Sequence, residues 1–338
     1  MKAILSTLIA LVLLAAPAMA QVETVPLSAP WNEGARDCKA QAQPPIEIRA
    51  YNATTYVLRE NLCTTFEAPF MYLLIGKTRA LLIDSGDVAD PALAPLAKTV
   101  IGLLPQSGAS PLPLLVVHTH RHLDHRAGDA QFHSLAGVQV VGYDLASVQQ
   151  FYHFSNWPNG LAQIDLGGRT VDVFPTPGHN ATHVAFYDRN TALLFSGDFL
   201  LPGRLLIDDA GADLASAKRA AAFVQTRPVS AVLGGHIEQD KAGNPFDWGS
   251  QYHPGEQPLP LTKADVLALP VAVSHFNGFY SQSGSFIMID SERLLIIAAV
   301  VVFLALVGLG LVVFLFVRRR RGRGPRRFAR VRSMSGRR

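Results

Sequence analysis

The sequence predicts an α/β domain followed by one transmembrane helix, and three observations lead there. Between residues 46 and 275, short apolar, β-branched runs alternate with stretches of helical periodicity. One of those runs, Leu114–Val117, stops at a dense ionisable cluster, His118-Thr119-His120-Arg121-His122-Leu123-Asp124-His125. Further on, residues 294–317 form 24 positions without a charge, enough to span a bilayer with some tilt.

Taken in order, residues 21–45 are rich in Pro, Ala and polar side chains and read as an arm without periodicity. Strands are expected over 46–59, 70–75 and 80–83, with Gly76-Lys77-Thr78 as a turn. Residues 91–104 are helical in pattern, and 112–117 form the strand that delivers the ionisable cluster. Asp124 and His125 open a helix that 128–135 continues. A strand at 138–141, a helix at 145–151 and a strand at 171–174 follow. A hairpin joins 184–187 to 192–195 around Asp188-Arg189-Asn190, then come an amphipathic helix at 212–225 and a strand at 229–233. Residues 237–260 read as a long polar loop.

The two ends carry targeting signals. Lys2, the apolar run 3–16 and Ala18-Met19-Ala20 form a secretory signal peptide expected to end at Ala20. After residue 317 come 11 arginines and no acid, which the positive-inside rule holds in the cytoplasm. The expected map is therefore signal peptide 1–20, arm 21–45, catalytic domain 46–293, membrane helix 294–317 and arginine tail 318–338. That puts the domain in the periplasm, on a single-pass protein of a bacterial inner membrane. The formal charge of +4 belongs to the tail, because residues 21–293 carry a net −8. A nucleic-acid partner for the domain is disfavoured, whereas the tail suits anionic lipid headgroups. Cys38 and Cys63 are an even pair in an oxidising compartment, which favours one disulfide, although sequence alone does not give their separation.

Ionisable groups crowded at the end of a core strand are costly to bury without a metal or another partner. In extended chain His120 and His122 point to one face and can converge on one ion, while Asp124 and His125 aim at a second. Three more strand ends bring candidates: Gly178-His179, Ser196-Gly197-Asp198 and Gly234-Gly235-His236. Gly178 lets the backbone turn so that His179 points back. Asp84, also at a strand end, is either a turn former or an acid that orients metal-binding histidines. His183 reads as a hydrogen-bonding or packing histidine behind the ligands.

As an ordered set, His120-x-His122-x-Asp124-His125, His179, Asp198 and His236 resembles the metallo-β-lactamase-fold hydrolase superfamily, over roughly residues 46–275. The resemblance implies a four-layer αβ/βα sandwich with its metal site at one edge. It implies a first metal on His120, His122 and His179, a second on Asp124, His125 and His236, and Asp198 bridging them. Asp84 matches the strand-end acid that supports the ligand loop. Two zinc ions sharing a water would supply hydroxide near neutral pH and polarise the carbonyl under attack, with Asp124 and Asp198 as catalytic carboxylates. Ligand type alone leaves Mn or Fe open.

Departures narrow the subclass. His122 stands where the diiron oxygen-reducing branch commonly has Glu. A bridging Asp198 lowers the rank of β-lactamase activity. Leu201 and Glu238 occupy positions where quorum-lactone hydrolases and glyoxalase-II enzymes, respectively, usually carry Tyr. What remains is an exported hydrolase of small-molecule esters, thioesters, lactones or related acyl bonds. A non-catalytic membrane-bound scaffold and an iron-dependent persulfide dioxygenase are the readings from other classes. Trp248, Tyr252 and His253, in the loop after His236, are the candidate substrate contacts.

Overall fold

The structure, a computed structural model, describes residues 25–108, 110–284 and 286–321, so the expected signal peptide and the arginine tail beyond 321 lie outside the described residues. The first half of the domain comprises strands β1 (Ile46–Asn52), β2 (Thr55–Glu60), β3 (Phe70–Ile75) and β4 (Ala80–Ile83), then helix α1 (Leu96–Leu103). After these come β5 (Gln106–Ser107), β6 (Ser110–Pro111), β7 (Leu114–Val117), β8 (Val138–Val140) and α2 (Leu145–Tyr152). The second half comprises β9 (Ala162–Asp165), β10 (Thr170–Pro175), β11 (Val184–Asp188), β12 (Leu193–Gly197), β13 (Arg204–Leu206), α3 (Ala210–Gln225), β14 (Ala231–Gly234), β15 (Pro260–Leu261) and α4 (Lys263–Ser274). Last come β16 (Tyr280–Ser283), β17 (Phe286–Ile289) and α5 (Ser291–Arg321).

Two mixed six-stranded sheets form, in the orders β1-β2-β3-β4-β7-β8 and β15-β14-β12-β11-β10-β9. Strand alternation sorts their side chains into layers. Tyr72 and Leu74 of β3 face inward and pack with Phe186, Phe195 and Leu233 of the other sheet. Met71 and Leu73 face outward onto Leu96 and Val100 of α1. On the far side, Tyr187 and Leu194 pack against Ala217 and Val224 of α3 and Leu269 of α4. The result is the helix-sheet-sheet-helix sandwich expected, and strands buried on both faces explain why the apolar runs are nearly continuous.

β4, β7 and β8 run parallel, as do β12 and β14, and β10 runs parallel to β12 because both are antiparallel to β11. The carboxyl ends of β4, β7, β10, β12 and β14 therefore gather at one end of the sandwich.

Four expectations need correction. The single strand expected over 46–59 is the antiparallel hairpin of β1 and β2, turned at Ala53-Thr54. The helix expected from Asp124 through 135 is two short 3-10 turns, Leu123–His125 and Ala127–Gln131. Its continuation is broken because the His125 carbonyl accepts from the Ser85 N–H, and Gly128 donates to Gly86 O. The helix expected from 91 begins only at Leu96, after Pro95. Elements β9, β13, α4, β16 and β17 were not anticipated. Helix α4 opens on a capping box between Thr262 and Asp265, and Pro270 inside it obscures the periodicity.

The arm is fastened rather than loose. Cys38 and Cys63 form a disulfide, Cα to Cα 5.2 Å, closing a separation of 25 residues. Trp31 packs edge-on against Phe70 at 5.0 Å, with the Arg49 guanidinium over its ring at 3.7 Å. At the other terminus, α5 stands clear of the domain with its apolar side chains exposed. Its span Ser291–Arg318 has 28 residues, contains an 18-residue window with a mean hydropathy of 3.2, and could cross a membrane.

Candidate metal centre

Past Val117 the chain does not stay extended as expected but bends through Thr119, His120 and Arg121, and the first 3-10 turn swings Asp124 and His125 beside His120 and His122. His179 arrives from the loop after β10, Asp198 from the end of β12 and His236 from the end of β14. Gly235 permits the last approach, since a Cβ there would meet Asp198 Oδ1 at 2.3 Å and His125 Cε1 at 2.7 Å.

Two clusters result, His120 with His122 and His179, and Asp124 with His125, Asp198 and His236; in each, the candidate donor atoms lie within 4.8 Å of one another. In the first, His120 Nε2 lies 2.9 Å from His122 Nδ1, and His179 Nε2 lies 3.2 Å and 3.0 Å from those two atoms. In the second, Asp124 Oδ2 is 3.2 Å from both His125 Nε2 and His236 Nε2, which are 3.2 Å apart. Asp198 touches both: Oδ1 is 3.4 Å from His125 Nε2 and 3.6 Å from His236 Nε2, while Oδ2 is 3.6 Å from His179 Nε2.

The opposite edges of the rings are tied down. Asp84 Oδ2 accepts from His125 Nδ1 at 2.9 Å, and Asp84 Oδ1 accepts from the Thr119 N–H at 2.7 Å. Thr119 donates its hydroxyl to Asp84 and lies 3.1 Å from His120 Nδ1, the ring atom that can donate to it. His179 Nδ1 donates to Leu206 O at 2.9 Å and His236 Nδ1 to Glu67 O at 2.7 Å. Each such bond puts the proton on the outer nitrogen and leaves a lone pair facing the cluster. His183 does not join either group. Its ring stacks on His120 at 5.0 Å, and its Nδ1 meets Thr176 Oγ1 at 2.8 Å.

The donor chemistry fits divalent cations. Three ring nitrogens meeting at 2.9 to 3.2 Å cannot all be satisfied by donating to one another, and Asp198 Oδ1 is buried without a hydrogen-bond donor. Burial, then neighbouring imidazoles, hold His120 well below the ordinary histidine value, and burial brings His122 to about 4, so both are neutral. In the second cluster burial opposes charge but loses. Asp198 and Asp124 push His236 up to about 10 and raise His125 well above the ordinary histidine value, while these imidazoles hold both carboxyls low. The carboxylates demand positive charge beside them, from imidazolium or from a bound cation.

The substrate candidates fall in different places. Exposed Trp248 and buried His253 line a cleft with Phe66, Glu67 and Arg204, and Glu67 is the residue whose carbonyl holds His236. His253 itself stacks on Phe246 at 4.2 Å and contacts Glu256 at 3.2 Å. Tyr252 instead lies under Arg36 of the arm, facing a separate cleft. Sequence reasoning missed Thr119, which its place between His118 and His120 could have flagged. It also missed Leu206 and Glu67, which act through backbone carbonyls and carry no side-chain signal.

The metallo-beta-lactamase superfamily model matches residues 64–236. An acyl-coenzyme A thioesterase MBLAC2 from Gallus gallus is 27% identical over 215 residues, covering 54% of this chain and 77% of that protein. A hydroxyacylglutathione hydrolase from Chromohalobacter salexigens is 30% identical over 141 residues, covering 41% of this chain and 50% of its own length. Among solved structures, a metallo-beta-lactamase from Pontibacter korlensis aligns with a TM-score of 0.45 at 18% identity, over 68% of this chain and 100% of that one.

Proposed function

This chain belongs to the metallo-beta-lactamase superfamily of hydrolases, and on that premise we propose that it is a dinuclear zinc enzyme cleaving acyl esters or thioesters. The observation that carries the reading is Asp198, whose two oxygens address two separate donor clusters. The relatives named for thioester and acylglutathione hydrolysis support the acyl substrate class. In the proposed assignment His120, His122 and His179 hold one ion, Asp124, His125 and His236 the other, and Asp198 bridges.

Bound there, the ions supply a water acidic enough to ionise near neutral pH and a positive field for the oxygen that gains charge. The chain's residues set the geometry for that chemistry. Asp84 and Thr119 lock the rings of His125 and His120, so the lone pairs are aimed before any ligand arrives. Asp198, with one oxygen toward each cluster, would be shared between the two ions. Asp124 Oδ2 and Asp198 Oδ1, ionised beside His125, are the carboxylate oxygens that face the second cluster and would orient a water there by accepting its hydrogen. Trp248 and His253 flank the approach along the cleft beside Glu67.

The same proposal includes location. Residues 1–20 direct export, 21–45 form the arm, 46–293 the catalytic domain in the periplasm, 294–317 the membrane helix and 318–338 a cytoplasmic tail against anionic lipid. Elemental analysis of the purified full chain tests the metal reading. About two zinc equivalents and hydrolysis of ester or thioester probes are expected. Less than about one equivalent of any transition metal, with no hydrolysis restored by added zinc, would sink it.

A further inference from the structure

The first histidine cluster and the start of α5 are joined by very little chain. His179 donates to Leu206 O on β13, Leu206 pairs with Ile289 at the end of β17, and only Asp290 separates Ile289 from α5. With about 4.8 Å between paired strands, about 3.3 Å per extended residue and about 1.5 Å per helical residue, His179 stands within about 20 Å of the apolar stretch beginning at Leu294. A domain of about 250 residues has a radius of gyration of about 18 Å and is about 45 Å across, so the centre belongs to its α5-proximal part. The loop after β13 agrees, because the Ile207 N–H donates to Ile289 O at 2.8 Å and the Asp208 N–H to Gly178 O, beside His179, at 3.0 Å. Arg121 is exposed in the ligand loop between His120 and His122, and Glu292 lies in the first turn of α5. Beside them Phe279 and Tyr280 are exposed, Tyr280 paired with Ile289, and such rings favour the headgroup layer.

We propose that the metal centre opens onto the bilayer surface and that its substrate is a long-chain acyl ester or thioester whose chain is lodged in the membrane. The inference rests on the reading of α5 as a membrane span and on the hydrolase reading above. A tether this short keeps the mouth of the site at the headgroup level, where bilayer partitioning enriches an acyl chain about fourfold per methylene. The reaction consumes one water and breaks the acyl carbon to oxygen or sulfur bond. It releases a fatty carboxylate and a proton, with the alcohol or thiol carrying the other hydrogen.

Both native cysteines are paired in the disulfide, so one introduced cysteine takes a fluorescent label on the full chain in phosphatidylcholine vesicles containing headgroup-nitroxide lipid. Strong quenching is expected for a label in the Arg121→Cys variant. None is expected in Lys77→Cys, at the turn before β4 and so at the opposite end of that strand from Asp84. Equal quenching at the two positions overturns the placement. For the substrate, p-nitrophenyl palmitate in the vesicles is compared with soluble p-nitrophenyl butyrate, with and without a 20-residue Gly/Ser spacer after Asp290, which reaches about 25 Å. The spacer should lower palmitate hydrolysis about tenfold and spare butyrate hydrolysis. An equal effect on both esters, or none on either, overturns the substrate class. Zinc-loaded protein inert to both esters overturns the hydrolase reading and the substrate class with it, while the quenching still decides orientation.

Discussion

The two ends of the sandwich bury charge in opposite ways. Where β9 turns into β10, the buried Arg169 guanidinium makes two bonds to Asp188, at 2.7 and 3.1 Å. It also reaches the carbonyls of Thr54 and Ile75 and the Thr55 hydroxyl, tying one sheet to the other. Every donor there has an acceptor within the chain. At the other end seven side chains converge with ring nitrogens facing ring nitrogens and an Asp198 oxygen that accepts no hydrogen bond. One end satisfies its charge internally, and the other leaves an Asp198 oxygen without a donor and ring nitrogens facing one another, as a cation site does. Burial of charge therefore does not mark function by itself; the incompleteness of its compensation does.

Breaking the comparison at the incomplete end should have the largest effect. In Asp198→Ala the proposed bridge is gone, so ester hydrolysis should fall about a thousandfold, as for loss of a group that stabilises transition-state charge. Zinc content measured by mass spectrometry should fall with it. Retention of both metals and of turnover would remove the bridging role.

At the compensated end the expectation reverses. Arg169→Met leaves Asp188 buried without its partner and should lower stability by about 3 kcal/mol or more, read from urea unfolding of the full chain in detergent. Zinc content should stay unchanged in the fraction that remains folded. If zinc were lost in parallel with a stability change smaller than this, the two ends would be coupled and the contrast would fail.

Between the extremes lies Asp84, which is buried and compensated yet holds a candidate ligand. Asp84→Asn keeps the shape but weakens the hold on His125 and Thr119, so zinc affinity should drop about 10- to 100-fold in competition with a chromophoric chelator. An unchanged affinity would make Asp84 a turn-forming residue only.

How much of this was legible in the sequence depends on the range of each signal. His120, His122, Asp124 and His125 are visible because their spacing is local, and the remote members could be ordered only through the family resemblance. The sandwich was likewise legible in its strands, since nearly continuous apolar runs such as Phe70–Ile75 are what double-sided burial demands. The helix expected from Asp124 failed for a tertiary reason: the His125 carbonyl is taken by the Ser85 N–H, a contact absent from any local pattern. Leu206 and Glu67 orient His179 and His236 through main-chain oxygens, which any residue type can supply. Helix α4 was not anticipated: Thr262 and Asp265 have the spacing of its capping box, but Pro270 interrupts the helical pattern behind them.

A finer test asks whether incomplete compensation extends beyond the ligands. Asp213 in the first turn of α3 is buried beneath Gly178, the residue before His179, where an added Cβ would come within 2.3 Å of its Oδ1. Burial first, then the Asp209 carboxylate, pushes its pKa up to about 8 from an ordinary 3.8. The folded chain then keeps a proton that the unfolded chain releases at low pH. The stability this group contributes is complete below about pH 4 and is lost as pH rises toward 8, at up to about 1.4 kcal/mol per pH unit. Asp213→Asn cannot ionise, so its advantage over the wild type should grow between pH 5 and pH 7, measured by urea unfolding with zinc kept saturating. Parallel stability profiles for the two proteins would mean that the carboxyl ionises in place. The unanswered charge at this end would then be confined to the seven candidate ligands.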